Sequence, residues 1–243
     1  MRNKFIVSFL VLVMVGIVCY NVVDSKDKSA LVNVDDISIS NSMVNGNNNY
    51  SKVKKLQEYY NNPDIKAIVS IEGNDSFNYP VVQASGDNDY YLSHDYYKNE
   101  DAYGVVALDY RVDFNFSKKI LIYGHSSVKR DTYFNSLENY YDKSYYDDNE
   151  YILLETDNGI RKYEVFSVYV ETGDFTYMNM NFNGREDWYS HLVNLKSKSM
   201  YDTGVEIGID DEVLIMQTCS NNSEYKNYSK KYLLVIAKRI DID

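Results

Sequence analysis

Hydrophobic positions in the chain form one long run near the start and many short runs afterwards. The long run covers residues 5–23, and at about 1.5 Å per helical residue it approaches the ~30 Å of bilayer hydrocarbon. Arg2 and Lys4 precede it, so the positive-inside rule predicts a short cytoplasmic N-terminus with the remaining chain outside the cell. No small-x-small cleavage site follows the run. The pattern therefore favours a single-pass anchor over residues 1–24 rather than a cleaved signal peptide.

The segment after the apolar run changes in character twice. Residues 25–50 are polar, short of aromatics and end in an Asn-rich stretch, which predicts an extracellular tether. Residues 50–62 then carry apolar side chains at helical spacing and stop before Pro63, which predicts a helix. The chain length and its 44% hydrophobic content indicate one folded domain, over residues 51–243.

Short segments rich in Val, Ile, Tyr and Phe occupy most of that domain and predict β-strands. They cover residues 67–71, 79–83, 104–110, 119–123, 151–156, 162–170, 212–217 and 231–240. So many short strands favour a closed or nearly closed β-barrel. Two segments have helical spacing instead, residues 133–140 and 185–198.

The charge balance limits the partners of the protein. Lys and Arg number 25 against 36 Asp and Glu, and the resulting net charge of -11 repels phosphate groups, which argues against a nucleic acid partner. Neither acidic stretch, 86–89 or 145–150, has the spacing of a calcium loop, and no Cys and His cluster suits zinc. We therefore expect no metal and no cofactor.

The two cysteines point to nucleophilic chemistry. Cys19 lies in the apolar run and Cys219 in the exported domain, so they cannot meet within the ~7 Å that a disulfide requires. A single thiol in an exported domain is unusual, because thiols outside the cell tend to be paired or oxidised. Cys219 is either a nucleophile or a small buried hydrophobic residue.

The search for a base to activate Cys219 is short, because the chain has three histidines. His191 falls in the second predicted helix, and His94 falls in a polar stretch. His125 directly follows an apolar strand and Gly124, and Cys219 also comes close after a predicted strand. Two strand ends can meet at one rim of a barrel, where an imidazole would serve the thiol as base, counter-ion and later acid.

Several segments, taken in order, resemble the class B sortases. They are NYPVVQ, DNDYYL, YGVVALDYR, ILIYGHSS, KYEVFSVYV and KSKSMYDTGVEIGIDDEVLIMQTCS. The resemblance implies a mainly β fold, an eight-stranded barrel with an N-terminal helix and a helix between the sixth and seventh strands. Residues 185–198 stand where that second helix is expected.

The resemblance also implies the activity, a membrane-anchored cysteine transpeptidase of a Gram-positive bacterium. Such an enzyme cleaves a C-terminal sorting signal, NPQTN-like or LPXTG-like, after Thr. It holds the surface protein as an acyl thioester on Cys219 and transfers it to a peptidoglycan amine, with His125 as general acid and base. The implied substrate groove contains Asn88, Leu92, Tyr177, Met178 and Gln217.

The sequence departs from the family at a third catalytic residue, an Arg that donates hydrogen bonds to the developing oxyanion. The family places it five residues before the Ala of the last strand, and that position here is Tyr232. Arg239 lies roughly 26 Å along the strand from Lys231. We predict that Lys231 supplies the positive charge, with Arg111 or Arg130 from another loop as the alternatives.

Two other functions are compatible with the same residues. A thiol hydrolase would pass the thioester to water instead of an amine, using the same nucleophile and base. A membrane-tethered binding module would keep Cys219 as an inert residue and use the 26 tyrosines as contact surface.

Overall fold

The computed structural model describes residues 51–241. The predicted anchor, residues 1–24, and tether, residues 25–50, lie outside the described residues. Within residues 51–241, no helix is both long enough and apolar enough to cross a membrane.

Eight strands and three α-helices make up the described part of the chain. The strands are β1 (Ile65–Ile71), β2 (Asn74–Val82), β3 (Ala107–Leu108), β4 (Lys119–Tyr123), β5 (Tyr151–Thr156), β6 (Gly159–Glu171), β7 (Val213–Cys219) and β8 (Tyr232–Ile240). The α-helices are α1 (Lys52–Tyr60), α2 (Lys143–Asp148) and α3 (Arg185–Ser197). Single 3-10 segments cover Tyr90–Leu92, Asn135–Tyr141, Thr176–Met178 and Ser223–Tyr225.

The strands close into a barrel in the order β1-β2-β3-β4-β7-β8-β6-β5. Neighbouring strands are antiparallel except at two places, where β2 pairs with β3 and β4 pairs with β7 in parallel. The predicted eight-stranded barrel, with a helix before it and a helix between β6 and β7, is therefore confirmed.

Two layers of apolar side chains hold the barrel together. Side chains alternate between the faces of a strand, so Ile120 and Ile122 of β4 fill the barrel interior. Leu121 and Tyr123 of the same strand point outward and pack under α3. Helix α3 thus covers the outer face of β4, β7 and β8, and the carboxyl ends of β4 and β7 emerge beside this cluster.

Helix α1 has clear boundaries in both sequence and structure. The side chain of Ser51 accepts the backbone N–H of Lys54 at 3.2 Å and caps the first turn. Asn61 ends the helix in the left-handed conformation with φ of 48°, which an Asn tolerates better than most residues. Val53 and Leu56 bury the apolar side of the helix against the barrel.

Several predicted elements differ from the observed ones, and β2 begins at Asn74, five residues before the predicted start. The third strand is only Ala107–Leu108, because Asp109 starts a turn in which its carbonyl accepts the Val112 N–H. The segment 133–140 forms the 3-10 helix Asn135–Tyr141, and α2 follows it after Asp142, whose side chain caps the helix. Strand β7 continues to Cys219, two residues further than predicted, because its last residues pair with β8.

Candidate active site

The parallel pairing of β4 and β7 brings His125 beside Cys219. The register aligns Tyr123 with Gln217, and the next residue, Gly124, donates its N–H to the Gln217 carbonyl at 3.1 Å. Continuing this register by two residues places His125 level with Cys219 on adjacent backbones, which lie about 4.8 Å apart in a sheet. The ends of β4 and β7, which lead to His125 and Cys219, therefore lie at the same rim of the barrel.

Gly124 is required for close packing rather than for an unusual backbone angle. A Cβ at this position would lie 2.6 Å from ring carbons of Phe134, whose own N–H donates to the His125 carbonyl at 3.1 Å. The fully buried Phe134 ring thus occupies the space that any larger residue before His125 would need. The structure therefore gives a steric reason for a glycine directly before His125.

The hydrogen bond of the His125 ring fixes its tautomer. Nε2 lies 2.8 Å from the carbonyl oxygen of Leu92, and because a carbonyl accepts only, Nε2 carries the proton. In the neutral ring Nδ1 is then the nitrogen able to take a proton from a thiol. Burial lowers the pKa of His125 below its usual 6.5, and the bond to Leu92 and the charge of Asp101 oppose this shift.

Cys219 ends β7 as a half-buried thiol against the outer cluster. Strand β8 places Tyr232 directly opposite it, and paired residues of antiparallel strands project to the same face. Leu92, Phe175 and Met178 pack on the same cluster. The thiol therefore lies at the edge of an apolar surface, next to the loops before β3 and after β6.

The predicted groove residues lie on this same side of the barrel. Tyr177 is fully buried and donates its hydroxyl to Gln217 Oε1 at 2.7 Å, two residues before the cysteine. The carbonyl oxygen of Leu92 accepts the hydrogen bond from His125 Nε2. Met178 lies on the apolar cluster and accepts a bond from Arg111 Nη2 at 3.3 Å.

The buried carboxylate of Asp109 holds several side chains beside the proposed groove. Asp109 is fully buried, and its side chain accepts bonds from Tyr123 Oη at 2.6 Å, Asn88 Nδ2 at 3.0 Å and Arg111 Nη2 at 2.7 Å. Burial raises the pKa of Asp109, but the bonds from Arg111 and Tyr123 outweigh it and hold the pKa below the usual value. Asp109 is therefore ionised and fixes Asn88 in place.

A second carboxylate joins the two catalytic segments. Glu138 Oε1 accepts the Ser126 hydroxyl at 3.1 Å and the Asn221 N–H at 2.8 Å. Asn221 Nδ2 in turn donates to Ser126 Oγ at 2.7 Å. Ser126 follows His125 and Asn221 comes two residues after Cys219, so Glu138 ties the histidine segment to the cysteine segment.

Two lysines, Lys230 and Lys231, precede β8 near the end of β7. Lys231 precedes β8, and its carbonyl accepts the Ser220 N–H at 3.0 Å. Lys230 also precedes β8, and its amine lies 5.8 Å from the Phe175 ring centre. The role of Lys231 as a charge donor stays a prediction.

Arg111, Arg130 and Arg239 each lie beside a carboxylate. Arg111 is held by Asp109 and borders the groove at Met178. Arg130 lies 4.0 Å from the Asp101 carboxylate. The charge of Asp101 raises the pKa of His125. Arg239 forms an ion pair with Glu212, just before β7 begins and at the opposite end from Cys219.

The remaining histidines lie apart from Cys219. His94 Nδ1 donates to the Tyr90 carbonyl at 2.7 Å, and the His94 ring stacks on the Tyr90 ring. His191 is buried in α3, with Nε2 3.0 Å from the amine of Lys119. In the described part of the chain, no group of three or more His, Cys, Asp or Glu side chains is arranged to hold a metal ion.

Asp109, Tyr123 and Glu138 are the site residues that sequence reasoning missed. Asp109 and Tyr123 fall within YGVVALDYR and ILIYGHSS, two of the segments that carry the resemblance. Their position in these segments could have marked them as candidate site residues. Glu138 lies in a segment without such a motif, and only the packing of that segment reveals its contacts.

The chain is similar in sequence to known sortases. The chain is 27% identical to sortase B of Staphylococcus aureus over 252 residues, which cover 99% of this chain and 98% of that protein. It is 34% identical to sortase B of Listeria monocytogenes over 151 residues, 61% of this chain and 60% of that protein. The chain matches no protein-family model.

Solved structures agree in fold as well as in sequence. A mutant form of Clostridium perfringens sortase B matches with a TM-score of 0.69 and 28% identity over 78% of this chain and 87% of that chain. The Staphylococcus aureus sortase B-substrate complex matches with a TM-score of 0.69 and 26% identity over 79% and 86% of the two chains.

The closed barrel, the helix between β6 and β7 and the paired histidine and cysteine define a cysteine transpeptidase. Its segments, fold and relatives all point to one class of these enzymes. The relatives and the solved structures support a class B sortase.

Proposed function

We propose that this sortase is a single-pass membrane protein that cleaves a C-terminal sorting signal after Thr and joins the surface protein to a peptidoglycan amine. The observation that supports the proposal is the parallel register of β4 and β7, which brings the strand ends that lead to His125 and Cys219 to one rim. The apolar run 5–23 supports the anchor. Similar solved structures include a sortase B-substrate complex and a sortase B complexed with triglycine, which support a peptide substrate and an amine acceptor.

The first half of the reaction forms the thioester. Neutral His125 accepts the thiol proton at Nδ1, and Cys219 Sγ attacks the Thr carbonyl carbon to give a tetrahedral oxyanion. The imidazolium then donates this proton to the leaving amide nitrogen. The C–N bond breaks, the C-terminal tail departs as an amine, and the surface protein remains as an acyl thioester on Cys219.

The second half transfers the acyl group. The acceptor amine attacks the thioester carbon while His125 removes its proton, and collapse of the second oxyanion breaks the C–S bond. The proton on His125 returns to the departing thiolate. Cys219 regains its thiol, and the product is a new amide between the Thr carbonyl and the peptidoglycan amine.

The groove residues would select the peptide and hold it in line with the thiol. The buried bond between Tyr177 and Gln217 fixes one wall beside Cys219. Asn88, held by Asp109, presents a fixed amide further along the groove. Preorganised partners of this kind favour a bound geometry close to that of the reaction. They suit an NPQTN-like or LPXTG-like signal, whose polar side chains need directed hydrogen bonds.

A charge near the oxyanion remains part of the proposal. We assign it to Lys231, which lies at the start of β8 close to the cysteine segment. An ammonium is a point charge without the forked donors of an arginine, so the stabilisation of the oxyanion is weaker than an arginine would give.

Cleavage of quenched fluorescent peptides by the full-length protein in detergent tests the proposal. NPQTN-like and LPXTG-like peptides are compared with and without triglycine, and the products are identified by mass spectrometry. Cys219→Ala and His125→Ala should abolish cleavage after Thr. Lys231→Ala should lower kcat about tenfold if its charge faces the oxyanion, with Lys230→Ala as the matched control.

Each outcome has a definite meaning. A triglycine-linked product that depends on Cys219 supports the transpeptidase, whereas a free carboxylic acid in the presence of triglycine supports the hydrolase. Full cleavage by Cys219→Ala would refute the assigned nucleophile. A larger effect of Lys230→Ala than of Lys231→Ala would move the oxyanion charge to Lys230.

A further inference from the structure

A cavity of about 690 Å³ opens on the outer face of the barrel, between the start of β4 and the start of α3. Four basic residues line it, Arg111, Lys118, Lys119 and Arg185, against one carboxylate, Asp113. The protein as a whole carries a net charge of -11, so a cavity lined by four basic residues differs from the overall charge of the chain. Phe182 and Trp188 add an apolar wall.

Within residues 51–241, the most buried basic residue of this cavity has no acidic hydrogen-bond partner. Lys119 is only 2% exposed, and its amine contacts the Asn179 carbonyl at 2.8 Å and His191 Nε2 at 3.0 Å, both of which are neutral acceptors. Burial lowers the pKa of Lys119 from 10.5 to about 7, and the charge of Arg111 adds to the shift. An anion that enters the cavity would therefore favour the protonated form of this buried amine, whose hydrogen-bond partners, the Asn179 carbonyl and His191, are neutral.

The other basic residues differ in how far they are neutralised. Arg111 is paired with the buried Asp109. Lys118 and Arg185 both reach the exposed Asp210, so one carboxylate is shared between two cations. A second anion can therefore be accommodated at this end of the cavity without displacing a buried ion pair.

The cavity continues the substrate groove. Arg111 lines the cavity and also donates to the carbonyl of Met178, one of the proposed groove residues. Strand β4 runs from Lys119 at the cavity to Tyr123 near the catalytic end. His125 follows six residues after Lys119, a distance of roughly 20 Å along an extended chain. A bound peptide with its Thr at Cys219 and its upstream residues extended along β4 would reach the cavity roughly five to seven residues before that Thr.

We propose that this cavity binds acidic side chains of the surface protein immediately upstream of its sorting signal. The inference rests on the proposed function, since it extends the same peptide beyond the motif. Carboxylates at these positions contact Lys119 and Arg185, and aromatic residues of the cavity cover the intervening backbone. The cavity thereby adds a specificity element to the enzyme that acts before the motif itself.

The experiment compares peptides that differ only upstream of one sorting motif. Full-length enzyme in detergent is given peptides with Glu-Glu-Glu, Gln-Gln-Gln or Lys-Lys-Lys at positions five to seven before the Thr. We expect kcat/KM to be roughly fivefold to tenfold higher for the acidic peptide than for the neutral one, and lowest for the basic one. High salt should reduce the preference, since part of the cavity is open to solvent.

Variants locate the preference. Arg185→Glu and Lys119→Met should bring the ratio of acidic to neutral kcat/KM close to one, whereas Lys54→Glu on the exposed side of α1 should leave it unchanged. The ratio is taken within each variant, so a general loss of activity cancels. Equal rates for all three peptides in the native enzyme, or a preference that persists in both cavity variants, would overturn the proposal.

Two further measurements distinguish selection of the peptide from simple anion binding. Inorganic phosphate at millimolar concentration should compete with the acidic peptide and not with the neutral one. Phosphate binding without any peptide preference would show an independent anion site and refute a role in substrate selection. If no peptide is cleaved, the proposed function fails, and anisotropy of labelled peptides on Cys219→Ala still decides whether the acidic peptide binds more tightly.

Discussion

The imidazole of His125 donates from Nε2 to the carbonyl oxygen of Leu92 at 2.8 Å. This bond orients the ring and reserves the other nitrogen for proton exchange with the thiol. It also joins His125, the proposed base, to the segment that contains Leu92, a proposed groove residue. Peptide binding that moves this segment would therefore act directly on the orientation of the base.

The first prediction concerns the pH profile. The pKa of His125 is lowered by burial, so the neutral base persists below pH 6.5, and kcat/KM should fall only at more acidic pH. The negative charge of Asp101 raises this pKa, so Asp101→Asn should move the acid limb further down. A pH series of peptide cleavage measures both midpoints. An acid limb above pH 6.5 in the native enzyme would contradict the assigned environment.

The second prediction concerns Glu138, which joins Ser126 to Asn221. Glu138→Ala leaves a buried hydroxyl and an N–H without their shared acceptor, so kcat should fall about tenfold or more with little change in KM. Glu138→Gln keeps an acceptor oxygen and should recover much of the loss. Glu224→Ala, an exposed change in the same loop region, is the control. A selective rise in KM would show that Glu138 acts on the groove instead.

The third prediction concerns Gly124 and Phe134. Gly124→Ala places a methyl group 2.6 Å from the Phe134 ring, so we expect a loss of roughly 1–3 kcal/mol in the free energy of unfolding, with a marked loss of activity. Phe134→Leu should partly restore the double variant by making room. Gly173→Ala, whose nearest neighbouring atom lies at 3.8 Å, serves as the control. Urea denaturation and peptide cleavage measure the two effects.

The fourth prediction concerns the buried amine of Lys119. Its pKa is about 7 in the folded protein and 10.5 in an unfolded chain, so the unfolded state binds more protons between these values. The free energy of unfolding should therefore rise with pH across this window, by up to about 1.4 kcal/mol per pH unit from this group. Urea denaturation between pH 7.5 and 9.5 should show a shallower slope in Lys119→Met than in Lys118→Met. Equal slopes would show that Lys119 ionises normally.

Much of this architecture is readable from the sequence because it depends on local patterns. β4 and β5 match the predicted ranges, since each is a short apolar segment bounded by polar residues. His125 and Cys219 can be identified because both follow such segments and few other residues compete for their roles. The barrel and the helix between β6 and β7 followed from the resemblance and are confirmed.

Other features depend on contacts that no local pattern contains. The carboxylates of Asp109 and Glu138 act through partners in distant loops, so their roles appear only when those loops are packed together. Helix α2 is only six residues long and is held by its Asp142 cap and buried tyrosine rather than by a periodic apolar face. The resemblance places the family arginine five residues before Ala237, at Tyr232. Tyr232 pairs with Cys219, and β8 has no bulge where it pairs with β7.

The parallel pairing of β4 with β7 has a consequence for how the enzyme matures. Lys119 and Val213 begin a pairing between segments that are far apart in the chain, and such non-local contacts form late because loop closure costs entropy first. Until β7 docks between β4 and β8, the thiol has no neighbouring base and reacts as an ordinary cysteine. A newly made chain should therefore be catalytically silent while it folds, and its activity should begin with the closure of the barrel.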